Sequence, residues 1–155
     1  MKSILFWFLA LTFFACSKET SNEDKIVGKW FNSDTLRELN RISIAQYDFR
    51  ADNSLEVLRI EHDLNTKEIL GYRYRSTGNY KLEGQQLSFS LQKSYTNDDA
   101  LRSYSSIEDL KLLDKPVENY MVTCKFGENY KTITFVYPPC GPAENCIGSM
   151  TYWRE

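Results

Sequence analysis

The sequence is poor in the residues on which most catalytic and metal sites depend. It has one histidine, His62, and four cysteines among 155 residues. Nucleophilic catalysis needs a nucleophile beside a base, and a zinc centre needs a compact set of Cys and His ligands. No motif around His62 supplies either arrangement. We therefore expect no enzymatic activity, no cofactor and no bound metal ion.

Basic runs are also missing. The 19 Lys and Arg residues are dispersed along the chain and are outnumbered by 21 Asp and Glu residues, which gives a net charge of −2. Nucleic acids are bound through a basic surface that neutralises phosphates. We therefore expect no binding to nucleic acid, and no attachment to a membrane surface through charge alone.

The one long apolar segment is N-terminal and is too short to span a membrane. Residues 4–14 follow Lys2 and end at Ala15-Cys16, whereas a membrane-spanning helix needs about 20 apolar residues. A short positive start followed by such a run is typical of an export signal. The stretch from Ser17 to Lys25 has no apolar residue and predicts a flexible tether.

This N-terminal segment resembles the signal of bacterial lipoproteins, in which a Cys after a small residue is lipidated and becomes the mature N-terminus. The resemblance implies acyl chains on Cys16, and two or more chains anchor a protein stably because each buried methylene contributes about 0.8 kcal/mol. Ser17 after the Cys implies sorting to the outer membrane, on its periplasmic or surface face. The Ser-Lys-Glu stretch is similar to surface-export signals of Bacteroidetes lipoproteins. An ordinary secretory signal with an unmodified Cys16 is the alternative.

The remaining sequence has the composition and periodicity of a β domain. Leu87, Phe89 and Leu91 alternate with polar residues and give the clearest half-buried strand. We expect an all-β domain over residues 26–155, after a signal peptide at 1–15 and a lipidated tether at 16–25. Eight to nine strands joined mostly by tight turns predict an antiparallel meander, closed into an eight-stranded barrel because closure removes exposed edges. The predicted strands are 26–32, 41–50, 54–62, 72–75, 78–83, 87–92, 120–126, 132–137 and 148–154.

Two segments favour short helices. Residues 34–39 have Asp34 as a candidate N-cap, and residues 106–113 begin with Ser106 and Asp109 in the spacing of a capping box. The second segment lies in a long connection, about residues 96–117. Long connections in compact domains are often binding loops or lids, and the alternative is a mobile surface loop.

Three cysteines remain besides Cys16. Cys140 and Cys146 lie in one loop that contains Pro and Gly, and an oxidising compartment favours a disulfide there. Cys124 is then a buried thiol. The alternative pairing joins Cys124 to Cys140 or to Cys146.

The mature sequence also resembles the lipocalins and lipocalin-like domains. Gly28-Lys29-Trp30 matches their Gly-x-Trp signature at the start of the first strand, and residues 47–54 and 77–87 are similar to two hairpins of small bacterial lipocalin-like lipoproteins. The resemblance implies that Gly28 allows close packing at the closed end and that Trp30 plugs it. It also implies that Arg154 lies across Trp30 in a cation–π contact.

Two functions follow from this reading, both for a monomeric, membrane-anchored protein. The first is binding of a small apolar ligand inside the barrel. The second is binding of an envelope protein or a glycan by the outer surface and the 96–117 loop. It applies if large side chains fill the barrel, because no ligand then fits inside. The candidate ligand-binding residues are the inward-facing aromatics Tyr47, Phe49, Tyr72, Tyr74, Phe89 and Tyr120.

Overall fold

The computed structural model describes residues 22–97, 104–114, 119–139 and 147–155. The predicted signal peptide, Cys16, and the proposed Cys140–Cys146 pair lie outside these ranges. Within them, no helix is long and apolar enough to cross a membrane.

The described residues form the predicted antiparallel barrel. Each strand pairs with the next in sequence, apart from the two-residue strand Lys111–Leu112, which pairs only with Tyr95 and Thr96. The first strand pairs with the last, so eight strands close a cylinder. The all-β meander and its closure are therefore confirmed. The elements are α1 (Asn22–Ile26), β1 (Gly28–Leu36), β2 (Arg41–Phe49), β3 (Ser54–Asp63), β4 (Ile69–Glu83), β5 (Gln86–Thr96), β6 (Lys111–Leu112), β7 (Tyr120–Phe126), β8 (Thr132–Val136) and β9 (Ser149–Arg154), with 3-10 turns at Arg37–Leu39 and Glu128–Tyr130.

Alternate residues of every long strand fill the barrel, as the period of a pleated strand requires. The rings contact one another edge-to-face or stacked, and Tyr47 alone packs against four of them. Such rings contribute most of the buried apolar area of a small domain. The largest fully buried apolar side chains are Trp30, Tyr152, Phe49, Phe89, Phe135, Ile26, Leu55, Leu87 and Ile133.

Helix α1 covers one end of the barrel, which we call the closed end. The helix begins at Asn22, inside the segment expected to be a tether, and Ile26 is fully buried in the core. The indole nitrogen of Trp30 donates to the carbonyl of Ile26 at 2.7 Å. Trp30 thus closes this end, as the sequence predicted.

The short helices do not form over their predicted ranges, and only Arg37–Leu39, within the first of them, is helical, as a 3-10 turn. Strand β1 continues through Asp34 to Leu36, paired residue by residue with β2, and only a 3-10 turn follows. Ser106 to Asp109 forms a turn, and after Leu110 the residues Lys111 and Leu112 form strand β6. In both places an adjacent strand offers unpaired backbone groups, and pairing with them outweighs a local capping signal.

The two strands predicted at 72–75 and 78–83 are one continuous strand, β4. The backbones of β4 and β5 approach so closely at Gly78 that an added Cβ would lie 2.2 Å from the carbonyl oxygen of Ser90. A bulge between Arg59 and Ile60 shifts the register of β4 and sets Tyr72 opposite Ile60.

Candidate functional site

The structure separates the six candidate aromatics into three groups. Phe49 and Phe89 are 1% exposed and belong to the core, as does Tyr47. Tyr72 lies opposite Ile60, whose side chain points away from the barrel interior. Residues opposite each other in an antiparallel pair share a face of the sheet, so Tyr72 also points away from the interior. Only Tyr74 and Tyr120 are partly exposed residues that border the core.

Tyrosine hydroxyls form the upper boundary of this core. The Tyr47 and Tyr120 hydroxyl oxygens are 3.4 Å apart. Burial raises the pKa of Tyr120 and of Tyr152. The pKa of Tyr137 is raised to about 12, mainly by burial and to a smaller extent by the nearby Tyr47. The phenols are therefore neutral at physiological pH and present polar groups toward the end opposite α1, the distal end.

Beyond the tyrosines, the inward positions of β2 and β3 carry charged and polar side chains. Tyr47 is in the core, so Ala45, Ser43 and Arg41 on the same strand also face inward. Arg59 pairs with Ala45, and Glu61 pairs with Ser43. We call Arg41, Ser43, Arg59, Glu61 and Tyr104 the distal cluster.

Glu61 is a buried carboxylate with one oxygen satisfied. Its side chain is 1% exposed, and Ser43 donates a hydrogen bond of 2.7 Å to Oε1. Arg73 approaches the same oxygen at 3.8 Å with a half-exposed side chain. The other oxygen, Oε2, accepts no hydrogen bond from the described residues. A buried charged group left in this state costs free energy.

Arg41 lies at the end of β2 under Tyr104. Its guanidinium carbon is 4.7 Å from the centroid of the Tyr104 ring, and its buried Nη1 donates no hydrogen bond within the described part of the chain. Tyr104 is held there because Ser105 pairs with Tyr72 through two backbone hydrogen bonds of 2.8 and 3.0 Å. The ring of Tyr104 also packs against Gly71, whose missing side chain leaves it room.

Arg59 is the second cation of the cluster. Its register partners are Ala45 on one side and Tyr74 on the other. The Tyr74 hydroxyl donates to Ser94 at 3.2 Å, so that side chain is already oriented by β5. Arg59 forms no ion pair with the described residues, in which Arg50, Arg73, Arg75 and Lys81 are the paired cations.

Sequence reasoning missed the distal cluster. Leu55, Val57, Arg59 and Glu61 have a spacing of two, and the first two members are core residues. The sequence signal for the cluster was that Arg59 and Glu61 continue the alternation of the inward apolar residues Leu55 and Val57. Glu61 stands beside His62 and Asp63 at the end of a strand, a sequence context that is typical of solvated residues.

Two shallow apolar grooves lie on the described part of the barrel. The larger, about 920 Å³, runs along β7 and β8 and includes Met121, Pro138, Pro139 and Ile147. The smaller, about 350 Å³, includes Phe31, Ile44 and the half-exposed Trp153. The larger groove also borders Tyr120 and Tyr137, and neither groove is lined by a residue of the distal cluster.

The described ranges contain one cysteine, Cys124, and the histidine His62. Cys124 is a buried free thiol, and burial raises its pKa to about 12, so the thiolate is not formed at physiological pH. His62 is tied to the Lys67 carbonyl at 2.8 Å at the end of β3, and no group of three or more His, Cys, Asp and Glu is placed to hold a metal in those ranges. Comparison with protein-family models, curated proteins and solved structures found no match to this chain.

Proposed function

We propose that this protein is an envelope lipoprotein, anchored through acyl chains on Cys16, whose lipocalin-like barrel binds a small molecule at the distal end. The closed barrel of eight antiparallel strands supports the lipocalin-like assignment, because lipocalins are closed eight-stranded barrels of this kind. Packed rings occupy the interior below Tyr47, so the ligand is a polar molecule held above the tyrosines rather than an apolar one held among the core rings.

One observation carries the binding role. Two buried polar atoms of opposite charge, Glu61 Oε2 and Arg41 Nη1, lack hydrogen-bond partners among the described residues and belong to inward-facing positions of neighbouring strands. Leaving such groups unpaired costs about 1–3 kcal/mol each. A ligand that paired with them would offset this cost, and this supports a binding role for the distal end.

Native mass spectrometry of the full chain, purified from membranes in mild detergent, tests the binding role. We expect an additional mass of a small molecule on the wild-type protein and its loss in Glu61→Gln. Glu83→Gln is the matched control, because Glu83 forms an exposed ion pair with Lys81 far from the cluster. Wild-type protein without any bound small molecule would contradict the proposal.

Metabolic labelling with a palmitate analogue tests the anchor. We expect label in the wild-type chain and none in Cys16→Ser, which should leave the membrane fraction because its acyl chains provided the attachment. Cys124→Ser is the control, since Cys124 is fully buried. Equal labelling of wild type and Cys16→Ser would contradict the anchoring proposal.

A second function, docking of an envelope protein on the outer surface, is favoured by Trp153. This side chain is 51% exposed beside Phe31 and Ile44, and exposed tryptophans are common anchors of protein interfaces. Trp153→Glu should abolish cross-linking to a partner while the ligand mass in the barrel stays unchanged. Unaltered cross-linking would remove this candidate.

A further inference from the structure

We propose, on the basis of the Cys16 anchor proposed above, that the closed end of the barrel rests on the membrane surface, with Trp153 and Tyr130 in contact with lipid. The partner of this surface is a lipid bilayer, and the distal end faces away from it. Two observations carry the inference. They are the place where the chain leaves the closed end and the exposed aromatic side chains beside that place.

The tether joins the domain at the closed end. Asn22 is the first described residue, and its side-chain amide donates to the carbonyl of Gly84, in the turn between β4 and β5, at 3.5 Å. Asn22 and Tyr130 border one shallow hollow of about 350 Å³. Tyr130 belongs to the turn between β7 and β8. The tether therefore begins next to this turn.

The tether is too short to let the closed end move far from the lipid. Six residue steps separate Cys16 from Asn22, and one step spans at most about 3.6 Å in any backbone conformation. The closed end is therefore held within about 22 Å of the acylated Cys16, whatever conformation the intervening residues adopt. Acyl chains hold that Cys at the bilayer surface.

Two exposed aromatic side chains lie at this end of the barrel. Trp153 is 51% exposed and Tyr130 is 40% exposed. Trp153 pairs with Thr132, two residues after Tyr130. The next residue, Arg154, donates its backbone amide to the Lys131 carbonyl at 2.9 Å, so the end of β9 adjoins the β7–β8 turn. Trp and Tyr are enriched where membrane and water meet, because their rings are apolar and carry one polar group.

Trp153 points away from the core. The preceding residue, Tyr152, is 1% exposed and belongs to the core, and successive residues of a strand face opposite sides. Trp153 borders the smaller apolar groove together with Phe31 and Ile44, on β1 and β2. The apolar surface therefore continues from the closed end along one side of the barrel.

Charge attraction does not bring this surface to the bilayer. Lys29 and Lys131 are exposed near the two rings, but Glu128 and Glu155 are exposed there as well, so the formal charges cancel. The contact depends on the rings and on the tether. A short tether makes the contact intramolecular, with an effective concentration in the millimolar range, so a weak preference of the rings for lipid is enough.

Trp153 is also the anchor of the alternative docking function, and the two uses exclude each other. A side chain that is buried against lipid cannot contact a protein at the same time. The lipid surface is favoured because the tether holds the closed end beside the bilayer continuously, whereas a protein partner would first have to enter the gap between them.

Quenching of tryptophan emission by brominated lipid tests the contact. The full chain, purified from membranes in mild detergent, is reconstituted into phosphatidylcholine vesicles with or without bromine on the acyl carbons nearest the headgroup. We expect bromine to reduce the emission of wild type more than that of Trp153→Phe. The difference belongs to Trp153, because Trp30 is fully buried and Trp7, in the predicted signal peptide, is common to both proteins.

A tryptophan at the distal end is the matched control. Leu39 is 55% exposed in the 3-10 turn between β1 and β2, so Leu39→Trp in the Trp153→Phe background moves the reporter away from the tether. Bromine should leave this reporter unquenched, and acrylamide in the water phase should quench it more strongly than it quenches Trp153. Circular dichroism checks that each variant keeps the β-barrel spectrum.

The outcomes separate this inference from the anchor. Acylated Cys16 with equal bromine quenching at Trp153 and at the distal reporter would overturn the inference and leave the anchor standing. Cross-linking of Trp153 to an envelope protein, without bromine quenching, would overturn it in favour of docking. If palmitate labelling shows no acyl chain on Cys16, the anchor fails and this inference fails with it.

Discussion

The guanidinium of Arg154 lies over the indole of Trp30, with its central carbon 4.5 Å from the ring centroid. This is the contact that the sequence predicted, and it joins the last strand to the first. Arg154 also donates to the carbonyls of Lys25 and Val27, the latter at 2.9 Å. Together with the bond from Trp30 to Ile26, these interactions satisfy three consecutive carbonyls at the end of α1 and fix the helix on the closed end.

Arg154→Ala should lower the free energy of unfolding by about 2–3 kcal/mol, because it removes a cation–π contact and two charge-assisted hydrogen bonds. Urea denaturation followed by circular dichroism measures the change. Arg37→Ala, at an exposed site on the opposite end, is the control and should change stability by less than about 0.5 kcal/mol. An unchanged free energy of unfolding in Arg154→Ala would mean that the contacts of Arg154 with Trp30 and α1 do not stabilise the closed end.

Glu61→Gln should raise the free energy of unfolding of the ligand-free protein by about 1 kcal/mol. The unpaired oxygen of the buried carboxylate costs more than the long, half-exposed ion pair with Arg73 contributes, and Ser43 keeps its acceptor. Thermal and urea denaturation give the value. Glu56→Gln should have the opposite sign, since Glu56 is paired with both Arg50 and Arg75. A loss of stability in Glu61→Gln would show that the ion pair with Arg73 outweighs the cost of the unpaired oxygen.

Gly71→Ala should destabilise the distal end by about 2 kcal/mol or more. Gly71 has φ +152°, and an added Cβ would lie 2.6 Å from the carbonyl oxygen of Ser105 and 2.9 Å from the Tyr104 ring. The substitution therefore displaces Tyr104 from Arg41. Gly84→Ala is the control, because Gly84 has φ +62° but open space around it, so only backbone strain of about 1 kcal/mol is added. Near-ultraviolet circular dichroism should change in Gly71→Ala alone.

The barrel could be predicted because the sequence patterns of its strands and turns are local. Leu87, Phe89 and Leu91 show the strand period directly, and the turn at Asp52-Asn53 contains a residue that tolerates its observed φ of 64°. The helix predicted at Asp34 failed because its capping signal competes with nine residue pairs between β1 and β2, which lie outside the sequence window.

The distal cluster was not predictable because it depends on register. Tyr72 and Tyr74 alternate in sequence like inward neighbours, and only the bulge at Arg59 and Ile60 reveals that they face different sides. Glu61 looks like part of an exposed acidic strand end until its pairing with Ser43 places it inside. Bulges and long-range pairing are set by tertiary packing, which single-residue preferences do not encode.

Alkaline pH should unfold the domain, because the neutral phenols at the boundary of its core cannot ionise in place. Burial raises the pKa of Tyr137 from 10.0 to about 12, and it also raises the pKa of Tyr120 and Tyr152. A group with a raised pKa in the folded state binds its proton more tightly there, so its stabilisation is complete below pH 10 and is lost as the pH rises toward 12.

Urea denaturation from about pH 8 to 11 should show a free energy of unfolding that is flat at first and then falls above about pH 10. Tyr137→Phe should make this fall less steep, whereas Tyr130→Phe, at an exposed site, should leave it unchanged. Stability that stays constant through about pH 11 would contradict the buried, neutral state of these phenols.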